Sequence, residues 1–203
     1  MAKVKTKKKA GSTDMTAMCD VAFLLLTFFI LTATAKAPEV MHVDTPKSTV
    51  QTKLPEKDLA TLTVGNNKVF FDVKGPKVRI KTLELMGEKY DITFSDADKK
   101  TFASMESFGV PIQSMKQILE MNNSQRKEAN QPGVPLDSLD NQLADWIQNA
   151  RLANMELQEA DLNVAIKGDA KEQYPIIRRV MDVLQDQKIN SFSLVTGLRT
   201  KDF

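Results

Sequence analysis

Asp14-Met15-Thr16-Ala17-Met18-Cys19-Asp20-Val21-Ala22-Phe23-Leu24-Leu25-Leu26-Thr27-Phe28-Phe29-Ile30-Leu31-Thr32-Ala33-Thr34-Ala35 decides how the rest of the chain is read. As a helix, Met15 to Ala35 extends roughly 31 Å at 1.5 Å per residue, enough to cross the hydrocarbon layer of a bilayer. One carboxylate, Asp20, lies inside it. An ionised side chain at membrane depth costs about 2.5–3.5 kcal/mol on insertion scales, so a carboxylate kept there marks a functional position. The chain reads as a proton-handling membrane anchor that carries a soluble domain.

Working outward, Lys3, Lys5, Lys7, Lys8 and Lys9 precede the apolar run with no acid before Asp14. A nucleic-acid-binding arm has a similar composition, but its place directly before an apolar helix favours a topological role. The positive-inside rule puts residues 1–13 in the cytoplasm as a basic tail, a transmembrane helix over 14–36, and everything after Lys36 across the membrane. The whole chain of 203 residues carries a net charge of only +2, which shows no nucleic-acid footprint. A cleavable secretory signal also has a basic start, an apolar centre and small residues such as Ala33-Thr34-Ala35. The length of the apolar run, Asp20 and the ordered placement of the polar residues oppose it. The only cysteine, Cys19, precedes the apolar run, unlike a lipoprotein signal, and leaves the outer domain without disulfides.

At 100° per residue, Thr13, Asp20, Thr27 and Thr34 recur every seventh position along one side of the helix, and Thr16 lies one turn before Asp20. Such a polar line marks a protein interface or a hydrated path. Threonines alone also bond back to their own helix carbonyls; the carboxylate in register tips the balance towards function. A carboxyl group in hydrocarbon favours its neutral form, and losing the proton creates a charge that needs water or a partner. One lone helix cannot form a path for protons, so partner membrane helices are required.

Beyond the helix, residues 37–58 are rich in Pro, Thr, Lys and Glu and read as an exposed tether, with His42, the only histidine, as a solvated side chain. Residues 59–203 form the outer domain. Leu62 to Val64, Gly65-Asn66-Asn67 and Lys68 to Asp72 predict a β-hairpin. Val78-Arg79-Ile80 and Tyr90 to Phe94 are expected as short strands, and Ser95 or Asp96 caps a helix over 97–107. Ile112, Met115, Ile118 and Leu119 keep helical spacing, and 122–133 is a polar loop. Asp137 or Ser138 starts a helix lined by Leu139, Leu143, Trp146, Ile147 and Ala150, with Trp146 a core residue. Leu162 to Ile166 is a strand, Asp169 to Gln173 a polar turn, and Pro175 opens a helix lined by Ile176, Ile177, Val180, Met181 and Leu184. Ser191 to Thr196 closes the domain as a strand, and a helix between two strands favours a right-handed parallel crossover.

Asp14-Met15-Thr16-Ala17-Met18-Cys19-Asp20-Val21, followed by Phe23-Leu24-Leu25-Leu26 and Thr32-Ala33, resembles the ExbD/TolR family, the small subunits of proton-driven motors in Gram-negative inner membranes. Ala17 stands where the family usually has proline. The resemblance implies that Asp20 carries protons, with Thr27 and Thr34 at polar positions further along the helix. Val43-Asp44-Thr45-Pro46 is similar to the family's Val-x-Leu-Pro segment just outside the membrane and is a candidate docking segment. Val134-Pro135-Leu136-Asp137, Val164 to Asp169, Tyr174, Val180 to Leu184, Ile189 and Leu194 to Thr196 resemble the family's outer domain. Residues 74–133 have no counterpart and read as an insertion. The expected fold is α+β: a single N-terminal transmembrane helix followed by a small periplasmic α/β-sandwich domain with an insertion.

The resemblance implies a homodimer in membrane lipid, inside a ring of an ExbB/TolQ-like polytopic membrane protein. Its outer domain acts on a TonB-like or Tol-Pal-like periplasmic protein, and TonB-dependent transport across the outer membrane is the favoured role. The alternatives are a TolR-like subunit for envelope maintenance and a membrane-tethered periplasmic binding module without a proton role. An enzyme is disfavoured: the soluble part has one histidine, no cysteine and no glycine-rich phosphate loop, and Glu156, Glu159 and Asp161 read as a solvated helix end. No metal site, no cofactor and no nucleic-acid partner is expected.

Overall fold

The computed structural model describes residues 15–33, 43–48, 54–105, 107–137, 140–170 and 174–198, and the chain divides into two units at Ala37/Pro38. The first unit holds helix α1, Met15–Thr32. It contains no glycine or proline, and its backbone bonding continues to the Ala33 N–H, which donates to the Phe29 carbonyl at 2.9 Å.

The second unit is built on a mixed sheet. Strands β2 (Leu59–Gly65) and β3 (Lys68–Val73) form the expected antiparallel hairpin. Asn66 and Asn67 both take positive φ, 51° and 61°, the conformation a two-residue hairpin turn needs and one that asparagine tolerates. Strand β4 (Asn163–Gly168) joins β2 in parallel, and β5 (Ser193–Leu194) joins β4 in parallel, giving the order β3-β2-β4-β5. Both parallel pairings are linked through helices, as the crossover rule requires. A separate two-stranded parallel ladder pairs β1 (Lys47–Ser48) with β6 (Gly197–Leu198).

Alternation along the strands decides where the core lies. Ala60, Leu62, Val64, Val69, Phe71, Val73, Val164 and Ile166 share one face and join a single buried cluster with the helices. Helix α6 (Gln142–Gln158) adds Leu143, Trp146, Ile147, Ala150 and Ala153, and α7 (Tyr174–Asp186) adds Ile176, Val180, Val183 and Leu184. Trp146 is fully buried among Phe71, Phe102 and Phe108, the nearest ring centroid 4.7 Å away, which makes it a core residue as expected.

Several local expectations need correction. Val78-Arg79-Ile80 is not a strand, and neither is Tyr90 to Phe94; residues Pro76–Tyr90 form helix α2. Gly75, at φ 97°, turns the chain, Pro76 occupies the first helical turn, and Val78, Thr82, Leu83 and Met86 bury one helical face. Helix α3 runs Asp96–Ser104, under a capping box in which Ser95 and Asp98 satisfy each other's backbone N–H groups. It stops before Ser107. Ile112–Ser114 is a single 3₁₀ turn leading into α4 (Met115–Glu120), and the polar loop after it contains α5 (Asn123–Glu128), capped by Asn122 and Gln125. Helix α6 starts later than expected: its cap is Asn141, whose side chain accepts from the Ala144 N–H at 3.1 Å. The closing strand is split into β5 and β6, because the chain leaves β4 after Val195 and pairs with β1 instead. Ser138, Leu139 and residues 171–173 lie outside the described residues.

Candidate functional site

Helix α1 carries the chemistry that the sequence singles out. None of its side chains is buried: Phe23, Leu24, Leu26, Phe28, Phe29, Ile30 and Leu31 are all more than half exposed. An apolar helix without a protein face to bury fits a lipid environment by length and composition. Asp20 stands five residues in from Met15, about 7.5 Å along the axis, and is exposed.

Thr16, Asp20 and Thr27 fall within a wedge of roughly 40° on α1. The wedge is not uniform in chemistry. The Thr27 hydroxyl donates to the Leu24 carbonyl at 2.9 Å, and Thr32 does the same to Phe28 at 2.8 Å. Thr27 therefore spends its proton within the helix, as threonines in apolar helices often do. Asp20 is the ionisable member of the wedge. Thr13 and Thr34, expected on the same line, lie outside the described residues, as do residues 1–13 and His42. Ala17 sits inside α1, so the helix runs unbroken through the position where the family usually has proline.

In the second unit, the candidate docking segment lies along the domain itself. Val43 is buried, the Asp44 carbonyl accepts from the Ala170 N–H at 2.7 Å, and the Pro46 carbonyl accepts from Gly197 at 2.9 Å. Thr45 faces Gly197, where an added Cβ would meet the Thr45 hydroxyl at 3.2 Å. Within the stretch read as tether, residues 43–48 thus run beside the C-terminal end of the sheet and continue into β1.

A buried charge pair at the start of α2 has no signal in the sequence reading. Arg79 pairs with Asp72 of β3, and its Nε donates to the Val73 carbonyl at 2.5 Å. Burial pushes the Asp72 carboxyl above its ordinary range, opposed by the positive charges of Arg79 and Lys74. On α6, Asp145 accepts from Tyr90 at 2.7 Å and from Lys89 at 2.7 Å; burial, and then this bond, hold the Tyr90 phenol well above its usual range. These groups hold helices in place. Two open clefts, of about 460 and 470 Å³, have mixed linings: Glu84, Glu88 and Lys99 beside Ile92 and Phe94 in one, and Glu56, Lys57, Asp58, Lys74 and Lys77 beside Val78 in the other. Among the described residues no cluster of His, Cys, Asp and Glu is arranged to hold a metal ion.

The family model described as Biopolymer transport protein ExbD/TolR matches residues 6–198, a range that includes α1, the whole sheet and the excursion between β3 and α6. No curated protein and no solved structure matches the chain.

Proposed function

Because the chain belongs to the ExbD/TolR family, whose members are non-enzymatic accessory proteins of biopolymer transport, we propose that it is a proton-motive-force-coupled motor subunit energising TonB-dependent transport across the outer membrane. One apolar N-terminal helix and this membership fit a single-pass inner-membrane protein. Proteins of the family generally work with ExbB/TolQ-like membrane proteins and TonB/TolA-like partners. The observation that carries the proposal is Asp20: an ionisable group in a helix whose apolar side chains are exposed all round.

Asp20 takes up and releases the proton; Thr16, Thr27, Thr13 and Thr34 line its face. In lipid the ionised form must meet water or a cation, so each deprotonation demands a contact from a neighbouring helix. Alternating those contacts moves the helix. One charge crossing the potential supplies roughly 2.3 kcal/mol per 100 mV. The basic tail keeps the N-terminus cytoplasmic, and the sheet domain, periplasmic and dimeric, transmits the motion to a TonB-like protein through the 43–46 segment. Residues 74–133 are an insertion in that domain, a reading supported by the way they leave β3 and return to its edge. Envelope maintenance of the TolR type uses the same helix chemistry, and the flanking genes distinguish the two.

Native mass spectrometry of the C-terminally tagged chain, extracted gently from its own membranes, tests the proposal. The expected species is two full-length copies bound to several copies of a larger membrane protein. A chain that begins near Lys36 and travels alone would leave only a periplasmic binding module.

A further inference from the structure

The sheet β3-β2-β4-β5 has two ends, and they are finished differently. In an antiparallel hairpin alternate residues of the outer strand direct both backbone groups away from the partner; in β3 these are Val69, Phe71 and Val73. Phe71 exchanges two hydrogen bonds with Phe108, its N–H donating to the Phe108 carbonyl at 2.8 Å and its carbonyl accepting from the Phe108 N–H at 3.0 Å. The Val69 carbonyl accepts from the Val134 N–H at 2.8 Å. The Val73 carbonyl accepts from the Arg79 side chain at 2.5 Å. Every one of these acceptors is filled by the chain between β3 and α6.

That chain is locked from behind. The Gly133 N–H donates to the Gly109 carbonyl at 2.7 Å, the Gln131 side chain accepts from the Gly109 N–H at 2.7 Å, and the Lys68 ammonium donates to Asn130 at 2.6 Å and to the Gln131 carbonyl at 2.8 Å. Gly109 lies so close to Phe70 that an added Cβ would sit 2.5 Å from the ring. At the other end β5 is two residues long, pairs only with β4 among the described residues, and leaves Leu194 exposed.

We propose that the excursion from residue 74 to Val134 is an edge guard: it occupies the outward carbonyls of Val69, Phe71 and Val73 and the Phe71 N–H, and keeps a second copy of this chain from adding its own β3 there. An open, apolar edge strand is a template for pairing, and proteins that must not pair there cover it. β3 is such a strand, reading Val69-Phe70-Phe71-Asp72-Val73. Within this sheet the guard leaves only the β5 end for strand addition between copies, and this conclusion rests on the fold alone, independent of the motor proposal.

Gly109→Ala tests it in the full-length chain in detergent, because it lifts the 107–110 segment off Phe70 while keeping every core side chain. Hydrogen exchange at the Phe71 amide and the assembly state by sedimentation are the two readouts. Phe71 is expected to exchange slowly in the natural chain, and roughly tenfold or more faster in the variant while β2 and α6 stay protected. Concentration-dependent larger assemblies then appear. If Gly109→Ala does not fold, Lys68→Ala, which removes the bonds to the Asn130 side chain and the Gln131 carbonyl, carries the same two readouts. Fast Phe71 exchange in the natural chain overturns the proposal, and so does an unguarded β3 that leaves the assembly state unchanged.

Discussion

Asp20 and Asp72 are two carboxylates in two regions that solve opposite problems. Asp72 lies in a domain that folds around its own core, and the domain supplies its partner: Arg79, one helix turn into α2, with Lys74 beside it. Asp20 lies on a helix that buries nothing, and no part of α1 supplies a cation. One charge is answered within the fold. The other has no cation on its own helix to answer it. That difference separates a carboxylate that holds structure from one available to work, since a charge with a permanent internal partner gains little from moving a proton.

The greatest loss of function is expected at Asp20. Asp20→Asn keeps the shape and removes the proton site, so outer-membrane uptake in cells falls to background while assembly with the polytopic partner persists; Asp20→Glu retains part of the activity. Retained uptake in Asp20→Asn would make Asp20 as structural as Asp72. Next comes Arg79→Met, which strands Asp72 and costs about 3–5 kcal/mol in the urea stability of the outer domain. The sign with pH is fixed by the raised carboxyl: protonated Asp72 suits its buried place, so its stabilising contribution is whole below the ordinary carboxylate range and fades as pH rises through the raised value. Removing Arg79 exaggerates this, and the variant's deficit shrinks as pH falls towards 4. A deficit that grows on acidification would contradict the assignment.

Tyr90→Phe sharpens the view that polar groups of the domain serve packing. It removes the bond to Asp145, worth about 1 kcal/mol, and leaves transport intact. Because the phenol is raised, that contribution is complete below the ordinary phenol range and is lost only at strongly alkaline pH, so the difference between variant and natural chain stays flat from pH 6 to 9. Circular dichroism melts across that range check it. The smallest effect belongs to Thr27→Val. Its hydroxyl serves its own helix, so helicity in detergent changes little, and any loss of uptake without loss of helicity identifies Thr27 as part of the proton path rather than a self-satisfied residue.

The sequence makes the hairpin legible because Asn66-Asn67 is a local signal, and β4 legible because alternation needs no distant information. Trp146 reads as core because its helical neighbours are apolar at the right spacing. Helix α2 was masked by β-branched Val78 and Ile80, although Gly75-Pro76 announces a helix start. Helix α5 is too polar for periodicity to reveal, and only the Asn122/Gln125 capping pair marks it. Contacts between distant residues stayed hidden: Arg79 with Asp72, Phe108 on β3, and the 43–48 segment beside Gly197 all depend on which surfaces meet after folding. Asp20 was the opposite case. A single charge in an apolar run needs no tertiary information to stand out.

The most direct measurement is proton uptake into liposomes holding the purified assembly of this chain with its polytopic partner, under an imposed membrane potential. Steady proton flux is expected with the natural chain, and none above empty liposomes with Asp20→Asn in an assembly of unchanged composition. Equal flux from both would show that protons pass without Asp20 and would end its role as the carrier.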